Sequence, residues 1–132
     1  MKTLISALML SVIATSATAL TPLPEEKHIN DQLLAASIGD KIRKSCPKIS
    51  ARMFVVWQKA NALEDYARDK GYSEEEVKAF LKDKDERKRM KRLRNAYLEQ
   101  NGVNKDNPES YCALGEKEIK AKSLIGELLR AN

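Results

Sequence analysis

Apolar residues along this chain recur mostly at helical spacing. Leu34, Ile38 and Ile42 return every fourth residue, with Ala35 and Cys46 flanking the same side, and predict a helix over 29–45 that Pro47 ends. Met53, Val56, Trp57, Ala60, Leu63 and Ala67 form the best apolar stripe of the chain. It predicts a second helix from a Ser50 cap to about residue 70, closed by Gly71, with Trp57 anchored in the core. Ser73-Glu74-Glu75-Glu76 reads as a capping box opening a third helix, with Val77, Phe80 and Leu81 facing inward. A break near 82–84 leads into a fourth helix, whose narrow seam is Met90, Leu93 and Tyr97 and which stops at Asn101-Gly102.

After a loop over 103–106, Asn107 caps the last helix, Pro108 suits its first turn and Glu109 complements its dipole. Tyr111, Leu114, Ile125 and Leu129 share one face of that helix. Cys112, Gly115, Ile119 and Gly126 form an adjoining stripe, whose two glycines predict close approach by a neighbouring helix. Glu118 and Lys122 stand four apart in the favourable order and predict an ion pair at the rim of the core. No strand pattern or internal repeat interrupts the series. The fold class is therefore all-α, a small bundle of four to five helices.

The N-terminus adds a different message. Lys2, an apolar run over 4–14 and Ala17-Thr18-Ala19 read as a secretory signal peptide cleaved after Ala19. The run is well short of the ~20 residues that span a bilayer, so no transmembrane span is expected in the mature chain. The chain divides into a leader over 1–19, an extended lead-in over 20–28 with two prolines, and one helical domain over 29–132. Export places that domain in the periplasm. Two cysteines in an exported chain favour one structural disulfide, Cys46–Cys112, over two free thiols or a redox pair, which usually shows Cys-x-x-Cys. Closing so long a loop stabilises by about 4 kcal/mol in the chain-entropy model.

Charge changes the picture in one place. The chain carries 24 Lys and Arg against 19 Asp and Glu, a net +5. Residues 82–94 alone hold eight basic side chains and three acids, so the basicity is local. Arg87, Lys88, Lys91, Arg92 and Arg94 are the candidate contact surface for an anionic partner, either a protein or an envelope component such as lipid headgroups. The alternative is a solvated helix face. Nucleic acid is a poorer partner, because export separates it from the chain and no aromatic residues are interleaved to stack bases.

Catalytic chemistry has little to draw on. His28 stands alone in the lead-in, and there is no paired metal spacing, glycine-rich phosphate loop or nucleophile elbow. The expectation is a non-enzyme without metal or cofactor, acting as a binding or accessory module. A stress-type periplasmic chaperone is the alternative.

Trp57-Gln58-Lys59-Ala60, Gly71-Tyr72-Ser73, Tyr111-Cys112-Ala113-Leu114-Gly115 and Ser123-Leu124-Ile125-Gly126-Glu127-Leu128-Leu129 resemble a family of small exported alphaproteobacterial proteins of unknown function. The resemblance covers most of the mature chain and is most specific in the last helix. It implies the leader, the cysteine pair and the helical pattern, and it brings no activity or cofactor. It also implies an accessory or assembly role beside the respiratory NADH–quinone oxidoreductase. Two cysteines do not by themselves ligate the usual four-cysteine cluster.

Overall fold

The computed structural model describes residues 19–132. Residues 1–18 of the leader expected over 1–19 lie outside them. Five helices and a two-stranded ribbon follow: α1 (Lys27–Ser45), β1 (Ile49–Ala51), α2 (Met53–Lys70), α3 (Glu74–Lys82), α4 (Lys84–Gln100), α5 (Pro108–Ala121) and β2 (Leu129–Ala131). Among the described residues no helix is long and apolar enough to cross a membrane.

The expected extended lead-in is shorter than 20–28. Pro22 precedes a single 3-10 turn at Leu23–Glu25, and α1 starts at Lys27. The Glu26 carboxylate accepts the Ile29 N–H at 2.7 Å, taking the capping role that Ser, Thr, Asp or Asn more often fills. Asn30 ties the lead-in down by donating to the carbonyls of Leu23 and Glu26, both at 2.7 Å. From there α1 is the spine of the molecule. Its Ala35, Ile38 and Ile42, with Cys46 just beyond, form the core with Ile49, Leu98, Tyr111, Cys112, Leu114, Ile125 and Leu129. A second cluster gathers Leu23, Ile29, Ala67 and Tyr72, backed by Leu33, Leu63, Tyr66, Val77 and Phe80.

Cys46 and Cys112 are joined, with their Cα atoms 5.2 Å apart across a separation of 66 residues. The bond clamps the end of α1 to the opening of α5, as the pair of cysteines predicts. Pro47 stops α1, and Asp83 separates α3 from α4 by ending the first and capping the second through the Glu86 N–H at 2.9 Å. Ser73 and Glu76 close the predicted capping box, at 3.1 and 3.0 Å. Gly71 and Gly102 end their helices at φ 103° and 81°, a region costly for any residue with a Cβ.

Several expectations fail where tertiary contact overrides local pattern. Ser50 does not cap α2: it lies in β1, opposite Arg130 of β2 in an antiparallel ribbon. The ribbon continues into the helix start, where the Arg52 N–H donates to the Leu128 carbonyl at 2.8 Å. Trp57 is not a core anchor. It is 61% exposed, with Met53 and Phe54 exposed beside it, and only Ala67 of α2 is fully buried. The covered face of α2 runs through Val56, Leu63, Tyr66 and Ala67, rotated away from Trp57. Leu81 and Leu93 are likewise exposed, and Leu98 takes the buried place in α4.

The end of α5 also departs from expectation. The helix does not run on to Leu129 but stops at Ala121, with Lys122 in the left-handed region at φ 51°. The chain turns back through Gly126–Leu128 and enters β2. Gly126 sits against the end of α5, where an added Cβ would overlap the Glu118 carbonyl and lie 2.8 Å from the Ile119 nitrogen. Gly115 does make the close helix approach: a Cβ there would meet Ile49 and lie 2.9 Å from Ile42 Cγ2.

The turn also removes the predicted Glu118–Lys122 pair, since Lys122 leaves the helix. Glu118, only 6% exposed, accepts hydrogen bonds from the Tyr97 and Ser123 hydroxyls instead. Ser123 in turn accepts the Gly126 N–H at 3.0 Å, so one carboxylate joins α4, α5 and the C-terminal turn. Burial, then the bond to Glu118 and that group's charge, push the Tyr97 phenol up to about 12. A raised folded value favours the protonated phenol, so its contribution is complete below the ordinary tyrosine value of about 10 and is lost as pH rises through about 12. Alkaline unfolding curves are expected to fall more steeply over that window for the native protein than for Tyr97→Phe. Parallel curves would contradict the bond.

Candidate functional site

The basic segment predicted from charge lies on α4, which starts from the Asp83 cap with Asp85 and Glu86 in its first turn. Acids at that end suit the helix dipole and leave the cations along the body of the helix. Arg89 is used structurally. Its guanidinium donates to Glu86 at 2.8 Å and to Asn30 at 2.5 Å, fastening α4 to α1. The five predicted contact residues are placed differently. Arg87, Lys88, Lys91 and Arg92 are exposed and Arg94 is half-buried.

These five divide into two rows. Lys88 and Arg92 face outward on one side of the helix. Arg87, Lys91 and Arg94 stand at i, i+4 and i+7 and line a cavity of about 410 Å³ with Ser37 and Met90 along the α1–α4 seam. Only weak neutral contacts hold them: Arg87 Nε donates to the Leu81 carbonyl at 3.3 Å, and Arg94 donates to Asn95 Oδ1 at 3.1 and 3.2 Å. Among the described residues none of the five forms an ion pair, although seven such pairs occur elsewhere in the chain.

Lys91 and Arg94 also face a larger cleft of about 790 Å³, which charge counting along the sequence misses. Lys41 of α1 and Lys105 of the α4–α5 loop complete its cationic lining, and Glu99 is its one carboxylate. No local signal announces Lys41 or Lys105. The first is one cation on the spine helix and the second lies in a polar loop, and only the folding of α4 across α1 brings them to Lys91.

His28 lies away from this cleft, tilted at 47° against the ring of Tyr66 with ring centroids 4.3 Å apart. Among the described residues no group of three or more His, Cys, Asp or Glu is placed to hold a metal ion. On α2, Phe54 and Trp57 stand 6.2 Å apart between ring centroids and add an exposed apolar cluster with Met53. What α4 and its cleft offer chemically is positive charge on a rigid support, partly walled from water.

Residues 21–130 match the model of a family described as a family of unknown function (DUF5333). No curated protein and no solved structure matches the chain.

Proposed function

The chain belongs to this family of unknown function, and from that premise we propose a non-catalytic binding or accessory role in which the basic face of α4 holds an anionic partner. The observation that carries this reading is the absence of ion pairs for Arg87, Lys88, Lys91, Arg92 and Arg94 among the described residues, on a helix whose neighbour Arg89 is paired. Residues 82–94 carry the excess of positive charge while the rest of the chain is balanced. Attraction of this kind steers association and falls with salt. The partner is a protein or an anionic envelope component. The Cys46–Cys112 bond supports a periplasmic setting, since such bonds persist in oxidising compartments.

The test replaces all five residues with glutamine and compares both proteins on an immobilised polyanion. The variant is expected to elute at clearly lower salt while its melting temperature moves by no more than a few degrees, as for exposed charges outside a network. Unchanged retention would contradict the reading. A large loss of stability would assign the charges to the fold.

A second reading, a stress-type chaperone, is favoured by the exposure of Met53, Phe54 and Trp57. It makes α2 the working surface. The five-charge variant separates the two, because it leaves that apolar cluster intact.

A further inference from the structure

We infer that the cleft between α1, α4 and the α4–α5 loop is a site for a phosphate-bearing organic ligand. Lys41, Lys91, Arg94 and Lys105 converge on it from three elements, against the single carboxylate of Glu99. None of the four forms an ion pair among the described residues. Gathering four like charges around one cavity costs folding free energy that one carboxylate does not fully return. A bound anion returns it.

Tyr111 is the second observation. It lines the cleft, is 4% exposed, and its hydroxyl has no hydrogen-bond partner among the described residues. Yet among the described residues no fully enclosed side-chain oxygen is left unsatisfied. The hydroxyl therefore meets solvent, and the cleft is the lining through which it does so. Lys41 Nζ stands 6.0 Å from the centre of its ring. A buried tyrosine with a free donor, in a cleft lined by three lysines and an arginine, is a place prepared for an acceptor.

The chemistry of the lining selects among anions. A single carboxylate takes up one bidentate arginine and leaves three lysines without a partner. A phosphate monoester carries nearly two charges and three strong acceptor oxygens, enough for donors arriving from several sides. Leu98 and Val103 supply an apolar wall for the organic body. The cavity of about 790 Å³ is of the size that holds small molecules rather than a lone ion. The phosphate can belong to a soluble ester or to a lipid headgroup.

This inference rests on α4 being an anion-binding surface, because Lys91 and Arg94 serve both. Lys41 and Lys105 belong to the cleft alone, and Arg87, Lys88 and Arg92 lie outside it, which keeps the two readings separable. The experiment titrates the full chain with inorganic pyrophosphate and, in parallel, with phosphatidylcholine vesicles containing phosphatidate. It compares the native protein with Lys41→Gln/Lys105→Gln and with Arg87→Gln/Lys88→Gln/Arg92→Gln.

The cleft variant is expected to lose affinity about tenfold or more, the loss of one or two charge-assisted hydrogen bonds, while keeping most of its retention on the polyanion. The outer-row variant should do the reverse. Binding of pyrophosphate identifies a soluble phosphate, and binding of the vesicles alone a lipid one. Absence of binding to both probes, or affinity that the cleft substitutions leave unchanged, would overturn the site. Should the double variant fail to fold, Lys105→Gln carries the same test, since Lys105 is exposed in a loop.

Discussion

Replacing Cys46 and Cys112 together with alanine is expected to lower stability by about 4 kcal/mol, the largest effect of any small change in this chain. The bond spans 66 residues of sequence, so breaking it returns a long loop to the unfolded ensemble. Both sulfurs are buried among Ile42, Ile49 and Tyr111, so the deletion also leaves unfilled space where α1 meets α5. For a domain of this size the change corresponds to roughly 15 to 30 °C in melting temperature. Guanidinium unfolding of the native and double-alanine proteins measures it directly. Coincident midpoints would show that the clamp contributes nothing.

Gly126→Ala is expected to cost about 3 kcal/mol, at the upper end for an overpacked site. The new methyl would overlap the Glu118 carbonyl and sit 2.8 Å from the Ile119 nitrogen, and both are backbone atoms that no rotamer change moves. Either α5 distorts or the C-terminal turn lifts away, and the second outcome takes β2 and the Ser123 bond to Glu118 with it. Gly39→Ala is the control. Its nearest neighbour is 3.8 Å from the added atom and it lies within α1, so alanine there should be neutral or slightly stabilising. Urea unfolding of the two variants decides the matter, and equal midpoints would contradict the close approach of Gly126 to α5.

Much of the fold can be read from residues that act on their own neighbours. Asn107 with Pro108, Ser73 with Glu76, Gly71, Asp83 and Gly102 mark helix ends through hydrogen bonds or backbone angles set within a few positions. The C-terminal turn is different. Ile125 and Leu129 keep helical phase with Leu114, and the break at Lys122 goes with contacts formed only once the chain has turned back, Gly126 against Glu118 and Ser123 bonded to that carboxylate. Trp57 shows the same limit from another side. Periodicity reveals that α2 has an apolar face, but not how far the rest of the molecule reaches along it.

The candidate site divides in the same manner. The excess charge on α4 is visible as a run of Lys and Arg, whereas the bond that fastens Arg89 to Asn30, and that Lys88 beside it lacks among the described residues, depends on where α1 lies. Lys41, Lys105 and Tyr111 join the cleft only through the packing of three separate elements. The exposed cluster of Met53, Phe54 and Trp57 was equally hidden, because Met53 and Trp57 belong to a helical stripe that reads as core.

The most direct test of α4 as a binding surface is chemical cross-linking of the tagged protein in the cells that make it, run beside the variant with glutamine at positions 87, 88, 91, 92 and 94. A specific anionic component held by the native protein, lost with the variant and displaced by added salt is the predicted result. Equal capture by both proteins, or the same component retained at high salt, would contradict it and make the basic face of α4 a solvated surface.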